Sequence, residues 1–311
     1  MLAYTEENMH TTAQKKFRIL GRLTALATAA GLALTACGGE TADTGSGEGG
    51  DEINIAINHG WEEGIAVAEL WSLILEDEGY TVNKSYMDLA PSFSALATGD
   101  MDFNMNIWQP VTHAEYLEEY GDDLEQVGVW NSDANQVIAV HEDAPFDSLD
   151  ELADHADLFE SRLVGIEPGA GLTERTEQYV IPEYGLEDWD FRTSSTPAML
   201  QEVATATENG DPIAVTLWRP HWAFNTYDIK ALEDPQEALG QEENMTIYAR
   251  AGFSEDQPEI FEWLSDFEID TERLQDLEVV LFEGEVEQDQ YEEVIRAWME
   301  ENQDWVDSLT A

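Results

Sequence analysis

Apolar residues recur along the first half of the folded chain with two periods, one typical of strands and one of helices. Strand-like runs occur three times in this part, at 53–57, 80–86 and 102–107. Residues 62–78 carry apolar side chains at helical spacing, and Gly79 follows in the position of a helix C-cap. A shorter helix is predicted at 93–98. This β-α-β-α-β order predicts an α/β domain with a largely parallel sheet.

A second unit of the same kind follows. Strands are predicted at 137–140, 163–166, 191–193 and 213–217, and helices at 173–180 and 198–207. Ser148 and Glu151 have the spacing of a capping box, which predicts a further helix start. From residue 257 onward the pattern is mostly helical. Two consecutive α/β units predict two lobes with a cleft, and ligands of such sheets bind beyond the carboxyl ends of strands.

The N-terminal segment has the pattern of an export signal. Basic residues at 15, 16, 18 and 22 precede an apolar stretch at 23–34 that is too short to span a bilayer comfortably. Leu-Thr-Ala-Cys-Gly follows at 34–38, resembles a bacterial lipobox and contains the chain's one cysteine, Cys37. We therefore expect a lipoprotein signal peptide at 1–36, lipidation of Cys37 and a flexible Gly/Ser/Thr/acidic linker at 37–51.

Charge narrows the classes of function. The chain has 13 Lys and Arg against 67 Asp and Glu, a formal net charge of −54. Nucleic-acid binding is excluded because a phosphate backbone needs a basic footprint. With 10 Trp, 10 Tyr and 11 Phe, the chain is nevertheless too aromatic to be a disordered acidic segment. A folded domain with a carboxylate-covered surface suits a salty environment, in which ions screen its self-repulsion.

Three tryptophans stand at predicted strand ends, in NHGW (Trp61), NIWQPVTH (Trp108) and TLWRPHW (Trp218). Indole faces around one point attract a methylated ammonium, each contributing about 0.5 to 2 kcal/mol. The glycine-rich turn VGIEPGAGL at 164–172 precedes a predicted helix, and its free backbone N–H groups suit a carboxylate. A nearby imidazole could donate a further hydrogen bond. The pattern predicts a site for a zwitterion.

Six segments, in the same order along the chain, resemble the glycine betaine/proline betaine-binding proteins of ABC importers, the OpuAC-like group. They are GWEEGIAVAELW, LATGDMDFNMNIWQPVTHAEY, VGIEPGAGL, TLWRPHWAF, ALEDP and ARAGF. The resemblance covers about 53–277 and implies a type II periplasmic-binding-protein-like fold, with the ligand cleft between two lobes. It places lobe one at 51–140 plus 245–311 and lobe two at 141–244.

The resemblance also implies the roles of six residues. Trp61, Trp108 and Trp218 would box the trimethylammonium group. The amides of Gly171 and Leu172, with the His113 side chain, would hold the carboxylate. Trp222 and His221 would lie behind these groups. The implied protein is no enzyme and needs no cofactor or metal. It captures glycine betaine outside the cytoplasm, on a lipid anchor, and delivers it to an ABC permease and its ATPase for osmoprotection.

Other interpretations stay open at this point. Choline, carnitine and ectoine are alternative ligands of the same class, although choline would leave the Gly171/Leu172 amides unoccupied. His59, His113 and His221 all lie at predicted strand ends and could gather around a metal. A structural or adhesive role would leave the tryptophans without a ligand to bind. The sequence contains no HExxH or GxSxG motif, and no P-loop with its lysine, so it indicates no familiar hydrolase or nucleotide site.

Overall fold

The computed structural model describes residues 52–284 and 286–311, so the predicted signal peptide, Cys37 and linker lie outside it. The described residues belong to one compact unit. Their strands are β1 (Glu52–Asn58), β2 (Thr81–Met87), β3 (Phe103–Gln109), β4 (Leu124–His141), β5 (Arg162–Gly165), β6 (Asp190–Thr193), β7 (Ala214–Arg219), β8 (Ile229–Ala231) and β9 (Glu243–Arg250).

Their helices alternate with the strands and then dominate the C-terminal part. They are α1 (Glu62–Asp77), α2 (Leu89–Thr98), α3 (Ala114–Tyr120), α4 (Gly171–Arg175), α5 (Ile181–Glu183), α6 (Thr196–Asn209), α7 (Ala223–Thr226), α8 (Phe253–Asp256), α9 (Pro258–Ser265), α10 (Thr271–Phe282), α11 (Tyr291–Glu301) and α12 (Gln303–Val306). Within the described ranges, no helix is long and apolar enough to cross a membrane.

The first unit folds as its apolar periodicity predicts. Helix α1 is buried along most of its length, and its Leu70 and Trp71 are fully enclosed. Gly79 follows with φ of +97°, and its N–H donates to the carbonyl of Glu76, which ends the helix at low strain. Helices α10 and α11 pack against α1 and bring the C-terminal part of the chain back to this lobe.

The sheet is mixed, in the order β2-β1-β3-β9-β4-β7-β5-β6, with β8 paired to β4. Parallel pairs occur at its two ends, where β1 joins β2 and β3, and β5 joins β6 and β7. The central pairs, β3 with β9, β9 with β4 and β4 with β7, are antiparallel. The prediction of largely parallel strands is therefore wrong for the centre of the sheet. We call β1, β2, β3 and β9 the first-lobe strands and β5, β6 and β7 the second-lobe strands.

Strand β4 runs through both lobes. It pairs with β9 from Leu124 to Ala134 and with β7 from Asn135 to Val140. The change of partner marks the crossing from one lobe to the other, a few residues before the lobe limit expected at 140/141. The expected limits, 51–140 plus 245–311 and 141–244, remain a prediction.

Two predicted helices of the second lobe differ in detail. The Ser148 hydroxyl accepts a hydrogen bond from the N–H of Asp150, and the 3-10 turns Leu149–Glu151 and Ala153–Phe159 follow, so the predicted capping box is wrong. The predicted helix at 173–180 starts earlier, with α4, and continues through the π-helical turn Thr176–Val180 into α5. This early start places the first turn of the helix at the cleft.

Candidate ligand site

All six residues predicted to bind the ligand line one cavity, together with five further residues. The lining consists of Trp61, Glu63, Trp108, Thr112, His113, Gln136, Ile166, Ala170, Gly171, Leu172 and Trp218. Space free of protein atoms amounts to about 310 Å³, including the open mouth of the cavity. Trp108 comes from the first lobe, Trp218 from the second and Gln136 from the crossing strand β4. The cavity therefore lies between the lobes.

Local structure explains where the three indoles stand. Trp61 is the N-cap residue of α1, just after β1, and Gly60 makes the intervening turn with φ of +73°. Trp108 and Trp218 are next to last in β3 and β7. Each of these strands runs into a proline through a cis bond, at Gln109–Pro110 and Arg219–Pro220. The strand ends thus converge on the cleft, as expected for an α/β sheet.

Each indole is held at its N–H edge. The acceptors are an oxygen of Glu167 for Trp61 at 2.6 Å, of Asn106 for Trp108 at 2.8 Å, and of Glu63 for Trp218 at 2.9 Å. Glu167 also accepts from the Thr196 N–H and hydroxyl, at 3.2 and 3.0 Å, so Trp61 is tied to the second lobe. Because the polar edges are satisfied by the protein, the ring faces are left for a cation that cannot donate hydrogen bonds.

His113 presents a neutral imidazole to the same cavity. Its Nδ1 accepts the backbone N–H of Trp108 at 2.9 Å, and its ring stacks on Trp61 with centroids 5.5 Å apart. Burial lowers the pKa of His113 to about 3, so the ring is uncharged at neutral pH. With Nδ1 acting as an acceptor, Nε2 carries the proton. The side chain is therefore a constant hydrogen-bond donor from mildly acidic to alkaline pH.

Gly171 and Leu172 are the first two residues of α4, and both are buried. N–H groups in a first helical turn have no partner within the helix and lie at its positive end, which favours an anion. A Cβ atom at Gly171 would lie 2.3 Å from the carbonyl oxygen of Thr112 across the cleft. Glycine is therefore required for the two lobes to approach this closely.

The histidines of the alternative metal site are not brought together. His59 lies beside Tyr86, with ring centroids 5.9 Å apart, and is not part of the cavity wall. His221 packs edge-on against Trp218 at 4.8 Å, behind the box. Among the described residues, no group of three or more His, Cys, Asp or Glu side chains is placed to hold a metal ion. Trp222 also lies behind the cavity rather than in its wall.

Sequence reasoning missed the polar residues that hold the site in place. Glu243, at the start of β9, accepts the backbone N–H groups of Val111 and Thr112 at 2.7 and 2.8 Å and thereby fixes the loop that leads to His113. The Gln136 amide donates to the Thr112 hydroxyl at 2.8 Å. Glu243 is nearly inaccessible to solvent, with 2% of its surface exposed. A buried carboxylate needs such donors, since it would otherwise be left unpaired.

Comparison with known proteins agrees with this geometry. The family model of the substrate-binding domain of ABC-type glycine betaine transport systems, OpuAC, matches residues 51–301. The chain belongs to the OpuAC family. OpuAC proteins are the substrate-binding parts of transport systems and not enzymes. The glycine betaine/carnitine transport binding protein GbuC of Listeria monocytogenes is 34% identical over 172 residues, which cover 53% of this chain and 55% of GbuC.

Two solved structures share the OpuAC architecture over most of the chain. Lactococcal OpuAC, in a closed conformation with glycine betaine, has a TM-score of 0.77 and 26% identity, covering 84% of this chain and all of that one. The glycine betaine/L-proline-binding protein ProX of Borrelia burgdorferi has a TM-score of 0.76 and 25% identity, covering 82% and 95%. These similarities confirm the predicted two-lobed type II periplasmic-binding-protein fold.

Proposed function

We propose that this OpuAC-family chain captures glycine betaine between its two lobes. The trimethylammonium group lies among the faces of Trp61, Trp108 and Trp218. The carboxylate accepts from the Nε2–H of His113 and from the backbone N–H groups of Gly171 and Leu172. No residue of this set has a catalytic or metal-binding role in the proposal.

One observation carries the proposal: three edge-anchored indoles and a neutral histidine donor share a single cavity with a helix N-terminus. A quaternary ammonium has no N–H to satisfy, so aromatic faces stabilise it without unpaired acceptors. A carboxylate at the other end gains hydrogen bonds to a charged group, each contributing about 1.5 to 3 kcal/mol. Glycine betaine joins both groups through one methylene carbon, which matches a small enclosed site.

We further propose that the chain works outside the cytoplasm as a lipoprotein attached through Cys37. It would present the solute to an ABC permease and its ATPase, with the 37–51 segment as a tether and with lobes divided at about 140/141 and 244/245. The lipobox-like sequence before Cys37 and the OpuAC family match support this placement. The acidic surface supports a role in salty surroundings, where osmolyte uptake is useful.

A titration of tryptophan fluorescence tests the ligand. Glycine betaine should perturb the emission with saturable binding, whereas glycine should bind far more weakly, because its ammonium holds its water more strongly and presents no methyl groups to the indole faces. Choline, carnitine, proline betaine and ectoine belong in the same panel, carnitine because GbuC is named for it. Equal affinity for glycine and glycine betaine would contradict the cation–π assignment, and tighter binding of choline would contradict the carboxylate site.

A further inference from the structure

Glu63 is a wall residue of the cavity that belongs to neither the aromatic box nor the proposed carboxylate site. Both of its carboxylate oxygens accept hydrogen bonds. Oε2 accepts the indole N–H of Trp218 at 2.9 Å, across the cleft, and Oε1 accepts the Nδ2 amide of Asn106 at 2.9 Å. One buried carboxylate thus connects α1 of the first lobe with β7 of the second.

The connection continues to a second indole. The other end of the Asn106 amide, Oδ1, accepts the indole N–H of Trp108 at 2.8 Å. Asn106 can reach this position because Gly64 lies under it: a Cβ atom at Gly64 would lie 2.4 Å from the Asn106 amide nitrogen. The orientation of the amide follows from its two partners, since only an oxygen can accept from the indole. Two of the three indoles are therefore oriented through Glu63.

The charge of Glu63 matters to this network. Four titratable groups surround it: Glu62 beside it on α1, His221 from the β7–α7 turn, Glu278 on α10 and His113 in the cavity wall. Burial, with the charge of Glu62, raises the pKa of Glu63, whereas the Asn106 hydrogen bond opposes this rise. Its place in the first turn of α1 also favours the carboxylate. The ionised form accepts both hydrogen bonds more strongly, because the hydroxyl oxygen of a protonated carboxyl group is a weak acceptor.

Among the surrounding groups, His221 is the one whose positive charge would lower the pKa of Glu63. His113 is neutral, because its burial disfavours the protonated ring. The Nδ1 of His221 accepts the Ala223 N–H at 3.0 Å, and its Nε2 lies 3.4 Å from Glu62 rather than facing Glu63. Burial and the neighbouring carboxylates raise the pKa of Glu278 well above its usual value, which disfavours a further negative charge beside Glu63. A cation in the cavity would place a further positive charge beside Glu63, which lines the cavity wall.

We propose that Glu63 is a positioning residue of the box, fixing the Trp218 and Trp108 rings and presenting its carboxylate to the cationic end of the ligand. This inference rests on the proposed capture of glycine betaine. A bound cation stabilises the ionised form of Glu63, so binding lowers the pKa of this group. Affinity is then complete above the pKa of the free protein and falls as the pH drops below it, with a proton released on binding.

The test compares Glu63→Gln with Glu69→Gln, a matched control on the same helix. Glu69 is similarly buried but bonds to Lys84 and Tyr86, away from the cavity. Dissociation constants for glycine betaine and dimethylglycine are measured by tryptophan fluorescence from pH 8 to pH 5. Calorimetry across the same pH range, in two buffers of different ionisation enthalpy, counts the released protons. Circular dichroism verifies that each variant is folded.

We expect Glu63→Gln to bind glycine betaine at least tenfold more weakly at pH 8 and with little dependence on pH. Dimethylglycine should lose at least as much affinity, because its ammonium N–H can donate to the Glu63 carboxylate. The unchanged chain and Glu69→Gln should lose affinity on acidification. If the dissociation constant of Glu63→Gln is within threefold of that of the unchanged chain and has the same pH profile, the proposed role of Glu63 is overturned but the proposed function is not. No glycine betaine binding by the unchanged chain would overturn the proposed function and this inference together. If Glu63→Gln does not fold, the unchanged chain provides the test. Binding of betaine by the unchanged chain without release of a proton would then overturn the inference.

Discussion

Replacing Gly171 by alanine tests whether the ligand is enclosed by the approach of the two lobes. The added Cβ atom would start 2.3 Å from the Thr112 carbonyl oxygen, and Cβ contacts below 3.0 Å essentially do not occur. The two segments must therefore separate by about 0.7 Å, because neither is a flexible side-chain end. An equal shift would stretch the Trp218-to-Glu63 hydrogen bond from 2.9 Å to about 3.6 Å, beyond bonding distance.

Losing one hydrogen bond to a charged group costs about 1.5 to 3 kcal/mol, so Gly171→Ala should weaken glycine betaine binding roughly tenfold to a hundredfold. Fluorescence titration measures this loss. The melting temperature without ligand should change little, because we expect the lobes to stand further apart when no ligand lies between them. Gly121→Ala is the control, since a Cβ atom there meets no other atom within 4 Å. Binding by Gly171→Ala within twofold of the unchanged chain would refute this reasoning.

Three further predictions concern the box, the imidazole and the surface. Replacing Trp61, Trp108 or Trp218 by alanine should each weaken betaine binding at least fivefold, whereas Trp305→Ala, outside the cavity, should leave the fluorescence titration nearly unchanged. His113→Ala should cost more affinity for glycine betaine than for choline in calorimetry, because the imidazole donates to the carboxylate alone; equal losses would assign His113 to the fold. The melting temperature should rise between about 0.1 and 1 M NaCl or KCl, where the Debye length falls from about 10 to 3 Å, while betaine affinity stays nearly constant. A melting temperature that is flat or falls with salt would contradict the halophilic interpretation of the surface.

The pattern of apolar positions predicted most strands and helices at the two ends of the sheet, but not the pairing of the strands at its centre. The helix at 62–78 is recognisable because its apolar face is continuous and Gly79 follows it. Strand β4 is harder to predict, since its first two thirds, LEQVGVWNSDAN, lack a clear alternation of apolar and polar residues. Its pairing with β9 joins residues more than a hundred positions apart, and local patterns contain no information on such partners.

The residues of the site were likewise only partly predictable from the sequence. The tryptophans, His113 and the glycine-rich turn could be chosen from the sequence because each is unusual at a strand end. Glu63 could not, since an acidic residue in a first helical turn is ordinary on the surface. Two signals were present: Glu62 and Glu63 are followed in their helix by five uncharged residues, and Asn104 and Asn106 interrupt a buried strand. Polar residues in such positions need partners, and the partners come from other elements.

The position of β9 between β3 and β4 has a consequence for biosynthesis. Strands β3 and β4 follow one another along the chain, yet neither completes its pairing until Glu243–Arg250 has been made. Because a ribosome releases the chain from its N-terminus, the core of the first lobe stays unfinished until about four fifths of the protein exists. The ligand cavity cannot close on a nascent chain. Late completion of the sheet is compatible with the proposed export of the chain.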